Sequence, residues 1–323
     1  MHRRIGGHEN VNVVKTDLVS VIKTEFRYFK KNRELWLLAL PGVLFLIVFN
    51  YIPLYGLILP FKNYSITKGF LKSPWIGFQN FLYLFNGDAW KITRNTIVFN
   101  SIFIALGLVV AVSFALILFE MSARSVKLYQ TILFIPFFLS WVVVSYVGVS
   151  VLDMKYGMLN KIIEMFGGNA LAWYMVPKYW YFILPLANLW KGVGYGTIIY
   201  YTALLGVDSE LYQAAAIDGA TRLQQVRSIS IPMLKPLMVM LTLMSIGGII
   251  RADFGLFYSF TLDSKPLYAV TDVIDTYVYR ALRQLGDVGM SSAAGLYQSL
   301  VGFVLVLGSN WLVRHLDPEN ALF

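Results

Sequence analysis

The sequence predicts an all-α polytopic membrane protein: six transmembrane helices with one polar helical insert on the cytoplasmic side. Hydrophobic residues make up 57% of the 323 and charged residues 14%, where soluble domains carry about 25% charge; the mean hydropathy is +0.62. Six stretches are apolar over the roughly 20 residues needed to cross a hydrocarbon core. Such stretches must be helical, because an unsatisfied backbone group in lipid costs several kcal/mol. Residues 210 to 236, ELYQAAAIDGATRLQQVRSISIPMLKP, break this pattern with a polar stretch set between two apolar ones.

Residues 1 to 34 form an N-terminal cytoplasmic segment, in which Leu18, Val21, Ile22, Phe26 and Phe29 recur at helical spacing. Lys23, Arg27, Lys30, Lys31 and Arg33 stand beside them, so the segment is expected to lie along the inner membrane surface. It has neither the short apolar core nor the cleavage site of a secretory signal. The membrane domain runs from 35 to 316, with spans at about 35 to 61, 93 to 119, 128 to 151, 179 to 206, 235 to 257 and 289 to 313. Prolines 41, 53, 136 and 185 fall within spans and are expected to kink them, and Pro136 can split the third. Basic residues ahead of the first span, with Arg124, Lys127, Arg222, Arg227 and Lys235 in later connections, put both termini, the 207 to 234 loop and the 317 to 323 tail in the cytoplasm. The three outer loops carry lysines too, and many aromatics: Trp75, Phe78, Phe81, Tyr83, Phe85, Trp90, Trp173 and Tyr174. These suit interface anchors, or docking of an external protein or sugar.

Within the insert, Ala214, Ala215 and Ala216 favour helix and Asp218-Gly219 is a stop-and-turn pair. Thr221 with Gln224 can close a capping box on a second short helix. A two-helix knob follows. It resembles the EAA loop of ABC importer membrane subunits: Glu-Ala-Ala, three residues, Gly, nine residues, Ile-x-Leu-Pro. Here the pattern reads Gln213-Ala214-Ala215, Gly219, then Ile229-Ser230-Ile231-Pro232, departing at Gln213 and Ile231. The opening span with Pro74-Trp75-Ile76-Gly77-Phe78-Gln79-Asn80-Phe81 is similar to the maltose-permease-like carbohydrate family. Thr271 to Arg280 and Ala294 to Ser299 resemble its LplB-like branch.

The resemblance implies a sugar permease of the bacterial inner membrane, with Gln213, Ala214, Ala215, Asp218, Gly219, Ile229 and Pro232 forming the ATPase-coupling surface. It also implies a heterodimer with a second permease, two ATP-binding subunits that hold ATP and Mg, and an extracytoplasmic solute-binding protein. The branch is associated with oligosaccharides from plant or algal polysaccharides.

The chain has no Cys, and its three histidines, His2, His8 and His315, lie near the ends. No catalytic or metal site is expected in the membrane. Without a GxxxxGK[ST] loop the chain carries no cofactor and no evident ATPase, so it reads as a translocation subunit rather than an enzyme. Its net charge of +9 is spread along loops, which argues against nucleic acid.

Polar groups inside spans are costly and face protein or water. They nominate Asn100, Asn188, Lys191, Arg251 and Asp253 as substrate path, with Trp190 and Tyr195 as sugar-stacking aromatics. Equally, Lys191 can be neutralised by Glu120, and Arg251 can pair with Asp253. Two cations on one cavity would suit an acidic sugar. The alternative class is an ATP-independent secondary transporter or channel, which would have no use for the knob.

Overall fold

The computed structural model describes residues 31–86 and 89–316. The expected surface segment before residue 31 and the tail from residue 317 lie outside them, as do the side chains of Tyr83 and Phe85. The chain divides into two compact units, one ending at Leu57 and one beginning at Ile58.

The described residues of the first unit are helical. Helix α1, Arg33–Leu46, passes through a π turn at Ile47–Tyr51 into a 3-10 stretch, Ile52–Phe61. Pro53 has no N–H for a carbonyl one turn back, and the π turn ahead of it accommodates that loss. Every residue from 31 to 55 is exposed. A rod apolar on all sides suits lipid or another helix.

The second unit is built on α2, Ala89–Phe119, and α5, Trp180–Leu205, which pack along their lengths. Ala111 and Ala115 meet Val193, Tyr200 and Leu204, joined by Leu234; small residues let the helices approach closely. A second cluster gathers Phe99, Trp180, Leu184, Leu256 and Phe257. Between α2 and α5 lies α3, Ala123–Phe134, then a 3-10 turn, Ile135–Phe138, and α4, Trp141–Leu152. The third span is thus broken just beyond Pro136, and its halves meet at 100°.

Four described helices are long and apolar enough to cross a membrane: 33–61, 89–119, 222–247 and 288–315. The bent pair makes a fifth if it counts as one span. Helix α5 has 26 residues, about 39 Å, yet falls short in hydropathy. Its Trp, Tyr and Gly residues lower the average, because hydropathy scales rank them below aliphatic residues.

The fifth span differs from the sequence expectation at both ends. Helix α6, Ser209–Ile217, is followed by α7, Arg222–Gln225, which runs through a π turn, Val226–Ser230, into α8, Ile231–Gly247. The second knob helix is therefore the first turn of the span itself. At the other end, residues 248–253 leave the helix, although the apolar run continues to residue 257. Beyond them a π turn, Gly255–Phe260, leads to α9, Ile274–Arg283, and α10, Val288–Leu316. Arg280 in α9 pins the loop ahead of that helix: it pairs with Asp263 at 3.0 Å and with Asp272, and lies 4.3 Å over the Tyr268 ring. Lys91 at the start of α2 reaches Asp272 at 3.9 Å.

Candidate functional site

The knob is organised by backbone rules. Asp208 caps α6 by accepting from the Glu210 N–H at 2.9 Å. The helix ends as the Ala220 N–H reaches the Ala215 carbonyl at 2.9 Å and Gly219 takes φ +78°, a left-handed conformation that only glycine enters freely. Thr221 then opens α7 with a closed capping box: its N–H donates to Gln224 Oε1 at 2.7 Å, and its Oγ1 accepts from the Gln224 N–H at 3.4 Å. Gln213, Ala214, Asp218, Gly219 and Pro232 are exposed, while Ala215 and Ile229 are half-buried.

Contacts invisible in the sequence fasten the knob to the membrane domain. Arg222 pairs with Glu120 beyond the end of α2 at 3.4 Å, the Tyr212 hydroxyl meets Ser230 Oγ at 3.0 Å, and the Tyr212 and Phe119 rings lie 5.5 Å apart. A cavity of about 560 Å³ opens in the angle between the two knob helices, lined by Gln213, Gly219, Thr221 and Arg222 among others. Ile217 at 86% and Leu223 at 61% exposure border the polar surface with apolar side chains. An exposed combination of this kind fits a protein partner.

Within the spans, the polar candidates are bonded at breaks in the helices rather than gathered in one pocket. Asn100 follows Ala89 by 11 residues, Lys191 follows Trp180 by 11, and Gln298 follows Val288 by 10, so each stands about 15 Å along its helix. The Asn100 amide donates to the Ile249 carbonyl at 2.6 Å and the Arg251 carbonyl at 3.0 Å. Gln298 donates to the Ile250 carbonyl at 2.8 Å and to Asp275 Oδ2 at 3.1 Å, and the same Asp275 oxygen accepts from the Ala252 N–H at 2.6 Å. These groups satisfy the backbone freed where the fifth span breaks. Burial pushes the Asp275 carboxyl up from its ordinary range, a tendency that its hydrogen bonds and the nearby Arg251 charge oppose.

The break in the third span is held in the same way. Lys191 Nζ donates to the Phe137 carbonyl at 3.0 Å and lies 5.6 Å over the Phe137 ring and 5.5 Å over Trp141. Asp253 accepts from the Trp141 indole N–H at 2.5 Å and from the Gly255 N–H at 3.0 Å. Neither ion pair that the sequence allowed is formed among the described residues, since Glu120 is turned to Arg222 and Asp253 to Trp141. Lys191 found a backbone carbonyl because a broken helix leaves one available.

A cavity of about 500 Å³ lies between α2, α5 and α8 and is lined by Asn188, Gly192, Tyr195, Thr242 and Ser245 with apolar neighbours. Of the seven path candidates, only Asn188 and Tyr195 reach it. Tyr195 stacks on Phe137 with ring centroids 4.9 Å apart. Trp190 and Arg251 are exposed elsewhere. Trp141, Asp275 and Gln298 are not among the sequence candidates, although Asp275 and Gln298 lie in the two stretches that resemble the LplB-like branch and Gln298 is a polar group inside the sixth span; the breaks they hold are not visible in hydropathy.

Lys191→Met is expected to destabilise the protein by about 1 to 3 kcal/mol, since the Phe137 carbonyl loses its donor. Glu120→Gln should give no rescue. Melting of the solubilised double variant is the check; a full recovery would restore the Lys191–Glu120 pair.

Residues 104–320 match the family described as binding-protein-dependent transport system inner membrane component. Protein LplB of Bacillus subtilis is 32% identical over 293 residues, covering 90% of this chain and 92% of that protein. The polygalacturonan/rhamnogalacturonan transport system permease protein YteP of the same organism is 32% identical over 292 residues, covering 90% of each. Among solved structures, a chain of a bacterial alginate ABC transporter, in complex with an alginate pentasaccharide-bound periplasmic protein, superposes with a TM-score of 0.82 at 27% identity. That match covers 90% of this chain and 97% of that one.

Proposed function

The chain belongs to the binding-protein-dependent transport system inner membrane components, and from that premise we propose that it is the translocation subunit of an ATP-driven importer of acidic oligosaccharides. Its relatives are sugar permeases of ABC importers, which move substrate and are not themselves enzymes. The observation that carries the substrate class is the likeness, over nine-tenths of this chain, to proteins named for polygalacturonan, rhamnogalacturonan and alginate transport. Arg251 supports it. Exposed beside the break in the fifth span, with its guanidinium outside the ion pairs of the described residues, it suits a carboxylate-bearing sugar.

In this reading six spans cross the membrane, α5 being the fourth, and a second permease completes the pathway. Two ATPase subunits bind ATP and Mg and hold the knob through Gln213, Ala214, Ala215, Asp218, Gly219, Ile229 and Pro232. A solute-binding protein delivers the sugar from outside. ATP binding draws the ATPases together, the knobs follow, and the paired permeases alternate between two openings.

The test is ATP hydrolysis by the complex, reconstituted with its binding protein and either trigalacturonate or maltotriose. Stimulation by the trigalacturonate-loaded protein is expected. A response to maltotriose alone would replace the acidic substrate with a neutral one, and no response to any loaded binding protein would sink the importer.

A further inference from the structure

The knob and the break in the fifth span lie at opposite ends of one rod. From Arg222 to Gly247 the chain is helical for 26 residues, about 39 Å, and only the π turn at 226–230 interrupts its α geometry. It then leaves the helix for residues 248–253.

The two sides of that break are packed differently. On the outer side, a Cβ built at Gly255 would lie 2.3 Å from Trp141 Cδ1, and one at Gly148 would lie 2.5 Å from Phe260 Cε2, so the π segment is pressed onto α4. The hydrogen bond from Trp141 to Asp253 fastens it further. On the knob side, Met233 and Met244 are 53% and 63% exposed, and the 500 Å³ cavity opens along Leu241, Thr242, Met244 and Ser245. One flank of the rod is open, while Leu234 and Leu243 hold another flank in the bundle.

Between them, the freed carbonyls of Ile249, Ile250 and Arg251 are held by the side-chain amides of Asn100 and Gln298. A side-chain amide on a neighbouring helix can follow a carbonyl through a small rotation, which the fixed ladder of an α-helix cannot do.

We propose that residues 248–252 are a hinge: the knob and the rod to Gly247 swing as one lever, the segment from Asp253 stays with α4, and Asn100 and Gln298 are positioning residues that keep the hinge hydrogen-bonded while it bends. This rests on the importer reading, since the ATPases supply the force.

The chain has no Cys, so paired spin labels can be placed at will in the reconstituted complex. One pair, at Met233 and Phe303, reports the rod against α10; a second, at Tyr146 and Ser259, reports the outer segment against α4. Trapping the complex with ATP and vanadate is expected to change the first distance and leave the second unchanged. Equal changes in both, or no change in the first, would overturn the hinge. Asn100→Asp keeps the shape of the side chain but removes the donor. It is expected to lower sugar uptake per ATP hydrolysed on the order of tenfold while the subunits still assemble; unchanged coupling overturns the positioning role. If the unsubstituted complex ignores every loaded binding protein, the importer reading falls and the hinge with it. A responsive complex whose rod does not move removes the hinge alone.

Discussion

Gly194→Ala is expected to prevent α5 from packing against the end of α3 and to leave little assembled protein in detergent. A Cβ at this position would lie 2.0 Å from the Leu133 carbonyl oxygen and 2.4 Å from its carbon. The obstacle is backbone, so no side-chain rotation relieves it. The helices must separate, and separation pulls apart two other contacts of the same seam: the stacking of Tyr195 on Phe137 and the bond from Lys191 to the Phe137 carbonyl. Overpacking costs about 1 to 3 kcal/mol where neighbours can shift, and a rigid backbone puts this case at the upper end. Domains are stable by only about 5 to 15 kcal/mol, so the loss is a large fraction of the whole. Gly192, two residues earlier, is the control: nothing lies within 4 Å of a Cβ built there, and Gly192→Ala should melt like the parent. Size-exclusion yield and melting temperature of both variants decide it; a stable Gly194→Ala would mean that the two segments are not this close.

Gly219→Val should assemble normally and transport poorly. At φ +78° a β-branched side chain is strongly disfavoured, at about 1 to 2 kcal/mol for the left-handed conformation alone. No atom stands within 4 Å of the Cβ position, so the whole effect is on the backbone. The turn relaxes by flattening, and α6 swings relative to α7 while the spans stay in place. Uptake is expected to fall by on the order of tenfold or more at unchanged membrane level, while ATP hydrolysis loses its dependence on the binding protein. Gly219→Asn separates the two explanations, since Asn tolerates the left-handed region yet is bulkier than Gly. Retained coupling with Asn supports a backbone requirement. If Asn is as damaging as Val, the space above Gly219 is occupied by a partner and the turn geometry is not the cause.

Much of the knob could be read directly from the chain, because capping and turn chemistry are local. Asp208, Gly219 and the Thr221–Gln224 box act on backbone groups within four residues of themselves. The membrane interior was legible in part. Asn100, Lys191 and Asp253 stood out as costly polar groups, but a polar side chain in a span does not say what it is bonded to. Their partners here are mostly main-chain atoms exposed by breaks, and a carbonyl has no sequence signature. Hydropathy also erred in both directions. It read through the break at 248–253, where Ile249 and Ile250, with Phe254 just beyond, keep the average high, and it undervalued α5, whose aromatic and glycine content packs well and scores poorly. Glu120 seemed available to Lys191 only because its proximity to Arg222 depends on how the knob folds back beneath α2.

The π turn at 226–230 sets the angular phase between knob and rod. A π turn holds one residue more than an α turn, and each residue of an α-helix advances about 100° around the axis. The stripe of Leu241, Thr242 and Ser245 therefore points where it does because one surplus residue was accommodated ahead of Pro232. Shortening that turn by a single residue would leave composition and hydropathy nearly unchanged, yet would rotate the whole stripe by more than a quarter turn relative to the knob and offer the cavity a different flank. In this chain the alignment between the knob and the lining of the cavity is carried by residue count, so a deletion there is a rotation.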